Sequence, residues 1–141
     1  MSNHSVKINV EYLGDLHCEI THGPSGQKFL TDAPVDNQGK GEFISPTDLL
    51  GTASASCIAT IMAIVARNHN IDLEGLNISV VKETTNVPFR RIAKLTLDIV
   101  FPNKLNDKEF KLMENVVKTC PVTRSLSSDL EFIVNYSYKK H

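Results

Sequence analysis

The residues of this 141-residue chain best suited to covalent chemistry are two cysteines, Cys57 and Cys120. A thiol reacts as its thiolate, and a helix N-terminus or a nearby cation favours that form. Cys120 directly precedes Pro121, a good first helical residue, so Thr119 or Cys120 is predicted to cap a new turn running through Leu126. Cys57 sits deep in a long apolar run and gains nothing from the dipole of its own helix. If it reacts, a cation must come from elsewhere in the fold. Cys18, between Leu16 and Ile20, reads as core. A cysteine on an apolar face ordinarily packs, so the residue types alone leave Cys57 and Cys120 open between core filler and working thiols.

Three cysteines cannot complete a set of structural disulfides, and none has a metal-ligand spacing such as CxxC. That usage fits a reducing compartment. No basic-then-apolar secretory signal opens the sequence, because Val6 to Tyr12 alternates, and the expected location is the cytoplasm. His17, His22 and His69 show no ligand spacing with the cysteines, so neither a stoichiometric metal nor a bound cofactor is expected. A net charge of −1 gives no electrostatic footprint for nucleic acid or an anionic membrane. With 41% hydrophobic and 22% charged residues, the composition is that of a single soluble globular domain over residues 1–141.

The element that must position Cys57 runs from Ser45 to Ala66. No charged side chain lies between Asp48 and Arg67, and the polar positions are small Ser and Thr residues that can bond back to the helix backbone. The start is marked by Ser45 as N-cap, Pro46 at the first helical position and Asp48 completing a capping box. Leu50, Ala53, Cys57, Ile61 and Ile64 recur at helical spacing, beside a second stripe of Ala55, Ile58, Met62 and Val65. The expectation is a helix with no solvent face. A membrane span needs roughly 20 mostly apolar residues. Gly51, Thr52, Ser54, Ser56 and Thr60 interrupt this run, which favours a buried central helix.

Around it, Val6, Ile8, Val10 and Tyr12, then Leu16, Cys18 and Ile20, predict a hairpin turning at Leu13-Gly14-Asp15. A third strand is expected near Gln27 to Thr31, then a long loop over 32–44. Strands are predicted at Leu76–Glu83 and Leu95–Phe101, a helix from Asn106 to about Lys118, and a last strand at Glu131–Tyr138. The order β-β-β-α-β-β-α-β describes an α+β domain.

SPTDLLGTASASC, the long apolar helix and TCPVTRSL together resemble the OsmC/Ohr family, the osmotically induced and organic hydroperoxide resistance proteins. The resemblance covers nearly the whole chain, including the element order. It implies a thiol-dependent peroxidase, active as an intertwined homodimer with its sites at the subunit interface. By that resemblance Cys57 is the peroxidatic cysteine, Cys120 the resolving one, and an external dithiol or dithiol protein the reductant. The family usually has Glu where Asp48 stands, orienting an N-terminal arginine that activates the thiol. This sequence has no arginine before Arg67, leaving Arg90, Arg91, Arg124, Lys28 and His22 as candidates, of which Arg124 alone is tied to the motif. Asp48 lies nine residues before Cys57, about 13 Å along a straight helix, so it cannot touch Cys57 of its own helix. The alternative function is a non-catalytic dimer that binds an apolar ligand or uses its thiols as a redox sensor.

Overall fold

The computed structural model describes residues 3–141, which fall into two compact units, Met1–Leu49 and Leu50–His141. The first unit carries an antiparallel sheet in the order β1 (Ile8–Gly14), β2 (His17–His22), β3 (Lys28–Asp32). Apolar alternation sets its register: Val10 pairs with Ile20, and Tyr12 with Cys18. The hairpin turns at Asp15 and Leu16, whose φ values of 57° and 65° are the left-handed conformations a two-residue I′ turn needs. The turn therefore lies later than Leu13-Gly14-Asp15, and Leu16 belongs to it and not to the strand. Cys18 is half-buried, a correction to its reading as core. Its neighbours on the apolar face of the sheet are open too: Val6, Ile8, Val10 and Tyr12 are 56–63% exposed.

The loop after β3 makes one 3-10 turn at Val35–Asn37 and returns to the sheet, where the Asp32 N–H donates to the Ile44 carbonyl at 3.3 Å. Helix α1 (Pro46–Asn68) begins in this unit with the expected capping box. The Asp48 N–H donates to Ser45 Oγ and the Ser45 N–H to Asp48 Oδ2, each at 3.1 Å.

In the second unit, β4 (Asn77–Thr85), β5 (Arg91–Phe101) and β6 (Glu131–Tyr138) form a sheet in that order. β5 pairs antiparallel with β4 and parallel with β6. A parallel partner requires a crossover, and it contains α2 (Asp107–Thr119) and the single turn α3 (Pro121–Arg124). The Asn106 and Glu109 pair closes a full capping box at the start of α2. Leu95, Leu97, Ile99 and Phe101 alternate along the middle strand and are completely buried. Ile58 and Met62 of α1 and Met113, Val116 and Val117 of α2 belong to the same core. Tyr136 of β6 stacks on Phe101 and meets the edge of Phe110 at 5.1 Å. A Cβ added to Gly51 would stand 3.2 Å from Val80 Cγ1 and 3.5 Å from Leu95 Cδ2, so glycine lets the start of α1 lie close against the sheet.

α1 is long and apolar enough to cross a membrane by length and composition, yet one stripe of it packs into a domain core. The sequence predicts a helix with no solvent face, and the structure corrects that. Gly51, Ser54, Ile58, Met62 and Ala66 are buried, whereas Ala53, Ser56, Thr60, Ala63 and Ile64 are exposed. A three-stranded sheet and one other long helix cover only one side of a 23-residue helix. The opposite side, with Ala53, Ala63 and Ile64, is exposed.

Candidate active site

Cys57 projects from the middle of α1 and is half-buried; Cys120, between α2 and α3, has no solvent exposure. The fold brings the two thiols near enough for each to act on the other's ionisation. Two local features put Cys120 there. The chain leaves α2 in an extended conformation at Cys120, with φ −60° and ψ 128°, and Pro121 restarts the helix at its first position. The first N–H groups of a helix have no intrahelical acceptor. Those of Val122 and Thr123 lie where they stabilise negative charge on the Cys120 sulfur. The Thr123 hydroxyl, buried and otherwise unpartnered, lies beside the same sulfur.

The electrostatics of the pair are asymmetric. Burial opposes ionisation of Cys120, but the Cys57 S–H, the Val122 and Thr123 N–H groups and the Thr123 hydroxyl outweigh it, and its pKa falls below the usual thiol value. Burial, and then the bond to Cys120, push the Cys57 thiol up, with the Val122 N–H offsetting part of the rise. The first thiolate of the pair is therefore favoured on Cys120 over Cys57. One negative charge is shared between a sulfur that solvent reaches and one that it does not.

The other sequence-derived candidates are employed elsewhere. Asp48 lies in the first unit and caps α1 through the Ser45 N–H. Arg124 is exposed in the last turn of α3 and is not among the groups acting on either sulfur. Arg91 donates to the Asp129 carbonyl at 3.3 Å. Lys28 bonds Glu19 and Thr21, and His22 pairs with Ser25. The contribution of Val122 and Thr123 escaped the sequence reading, because it comes from backbone N–H groups and one hydroxyl. Cys-Pro at a helix start was the available signal.

The profile of the OsmC-like protein family matches residues 39–135, a stretch that includes both cysteines. A crystal structure of a proposed osmotic stress induced and detoxification response protein from Psychrobacter arcticus 273-4 is 42% identical, covering 96% of this chain and 97% of that one with a TM-score of 0.86. The chain belongs to the OsmC-like protein family. More distant in sequence from this OsmC-like protein, and alike in fold, are two further crystal structures. One is an OsmC like protein from Mycoplasma pneumoniae, 16% identical, with TM-score 0.82 and coverage of 99% and 100%. The other is an organic hydroperoxide resistance protein from Elizabethkingia anophelis, 12% identical, with TM-score 0.79 and coverage of 98% and 99%. No curated protein matches the OsmC-like sequence significantly.

Proposed function

We propose that this OsmC-like protein is a thiol-dependent peroxidase that reduces hydroperoxides through Cys57 and Cys120 in cytoplasmic oxidative-stress defence. The observation that carries the reading is the proximity of the two sulfurs, with ionisation favoured on the enclosed Cys120 and opposed on the more accessible Cys57. Cys120 then serves as the base for its partner. The proton moves across the S–H···S bond, and Cys57 attacks as the thiolate. Its sulfur bonds the distal peroxide oxygen, the O–O bond breaks, and the alcohol leaves with a proton, so Cys57 becomes a sulfenic acid. Cys120 attacks that sulfur, the S–S bond forms, and water departs. A dithiol returns both thiols by exchange through a mixed disulfide.

The same reading assigns the working form as a homodimer. The exposed apolar row on β1 and the uncovered side of α1 are the surfaces a two-fold partner would cover. The names of the Psychrobacter and Elizabethkingia relatives, detoxification response and organic hydroperoxide resistance, agree with a hydroperoxide as substrate.

A redox switch without turnover is the second reading. It is favoured by one observation: no lysine or arginine stands among the groups that act most strongly on either sulfur. Adding one equivalent of an organic hydroperoxide to the reduced protein, followed by peptide mapping, tests the step common to both. A Cys57–Cys120 disulfide is the expected product. Unchanged thiols, or a disulfide involving Cys18 alone, would overturn it.

A further inference from the structure

A second cluster of reactive side chains lies wholly within the first unit, and the thiol chemistry makes no use of it. His17 opens β2 and pairs in register with Asp32, the last residue of β3. The loop after β3 brings Glu42 back to the same end of the sheet, where its N–H donates to Asp32 Oδ2 at 3.0 Å. One oxygen of Asp32 is thereby fixed by backbone, and the other, Oδ1, faces the His17 ring. His17 Nε2 lies 3.5 Å from Asp32 Oδ1 and 3.6 Å from Glu42 Oε2. This nitrogen is shut off from solvent and makes no hydrogen bond.

Those separations carry the argument. A charged imidazole bonded to a carboxylate closes to about 2.7–2.9 Å, and neutral N–H···O bonds reach only about 3.2 Å. The distances here are too long for either, though three strong donors converge within 4.8 Å of one another. Ligands held about 2.0–2.2 Å from a tetrahedral metal ion are separated from each other by about 3.3–3.6 Å. The two separations from His17 fall within ion-pair range and also match those between ligands of one metal ion. Charge points the same way. The Asp32 carboxylate is 1% exposed beside a second carboxylate, and buried charge of one sign requires compensation. With a neutral imidazole, the two carboxylates balance one dication.

We propose that His17, Asp32 and Glu42 form a binding site for a divalent first-row transition metal ion, with zinc as the best match. One imidazole and two carboxylates suit zinc better than calcium, which takes six to eight oxygens. Three protein ligands leave a fourth position for water, and the side chain of Glu42, 47% exposed, leaves a path for the ion to enter. The Glu42 N–H on Asp32 supplies the outer bond that orients a metal-bound carboxylate. Phe43 stands edge-on to the His17 ring at 5.2 Å and limits its rotation. The ion would pin the loop over 33–44 to the end of the sheet.

The test is calorimetric titration of metal-stripped, fully reduced protein with zinc, repeated with cobalt(II) and read by absorption. One site per chain is expected, with a rise in melting temperature on zinc addition. Bound cobalt should lack the intense near-ultraviolet band of thiolate ligation, which separates this site from the cysteine pair. Glu42→Gln and His17→Asn should each weaken binding by roughly tenfold or more, at least the loss seen when an outer-shell partner is removed. Glu42 is on the surface, so Glu42→Gln decides the matter should His17→Asn fail to fold. No zinc binding by the native protein, a thiolate band with cobalt, or full affinity in Glu42→Gln would each overturn the proposal.

Discussion

Cys57 of α1 and Cys120, in the bend between α2 and α3, lie near enough to act on each other's ionisation, and of the two only Cys57 has access to solvent. The enclosed sulfur is the one the surrounding N–H groups help to ionise. Ionisation and access are thus divided between two residues, and one proton links them.

The pH dependence follows from that division. The pair should ionise in two macroscopic steps, one below and one above the usual thiol value, and both belong to the pair. Thiolate absorbance against pH measures them. Thr123→Val removes a hydroxyl beside Cys120 and should move the first step up. The stability signs are opposite. The lowered Cys120 contributes stability that is present above its unfolded-state pKa and lost as pH falls through the folded value. The raised Cys57 contributes stability that is present below its unfolded-state pKa and lost as pH rises through the folded value. Melting temperature in the alkaline range should therefore fall less steeply for Cys57→Ala than for the native protein.

The two cysteines should fail differently. In Cys57→Ser no oxidation by hydroperoxide reaches Cys120, because that sulfur is enclosed. Cys120→Ser should slow the first oxidation by loss of the base and then accumulate the sulfenic acid on Cys57, which dimedone traps and mass spectrometry locates. Trapping at Cys120 in the Cys57→Ser protein would reverse the roles.

Stability should depend on the middle strand of the second sheet more than on any helix end. Leu97 has no exposure, and Leu97→Ala should cost about 2–5 kcal/mol through lost burial and the cavity left behind. Asn106→Ala removes the α2 cap and should cost about 1 kcal/mol. Urea unfolding at neutral pH compares them. Equal losses would mean that the β5 face is looser than its burial implies.

Association should depend on the exposed apolar row of β1. Val10 is 61% exposed, so Val10→Glu puts a charge there at little cost to the chain itself. Sedimentation should show a dimer for the native protein and a monomer, or a far weaker dimer, for the variant, with unchanged secondary structure by circular dichroism. A native protein that sediments as a monomer would remove the homodimer from the proposed function.

Much of the fold was legible because local signals agreed with each other. Ser45 with Asp48 and Asn106 with Glu109 marked two helix starts, and both capping boxes are present. Alternation placed β1, β2 and the second half of β5, and Cys-Pro placed the turn of α3. What failed was everything that depends on how many layers cover an element. A helix apolar on all sides looks buried on all sides, yet Ile64 and Ala53 lie on the open face. Cys18 alternates as a core residue would, on a sheet face whose other apolar residues are exposed. At the candidate site, the family resemblance singled out Cys57 and Cys120, whereas the help from Val122 and Thr123 depends on backbone direction. The His17, Asp32 and Glu42 cluster was invisible for a related reason. Strand register joins the first two, and a loop of Pro, Asn and Gly residues returns the third.

The most direct measurement is the disappearance of an organic hydroperoxide, and separately of hydrogen peroxide, in the presence of a dithiol, comparing native protein with Cys57→Ser. The expected result is loss of peroxide over many turnovers by the native protein and none above background by the variant. Equal rates for the two proteins would contradict a peroxidase acting through Cys57. A single stoichiometric oxidation of the native protein that no dithiol renews would leave the thiol pair as a redox switch.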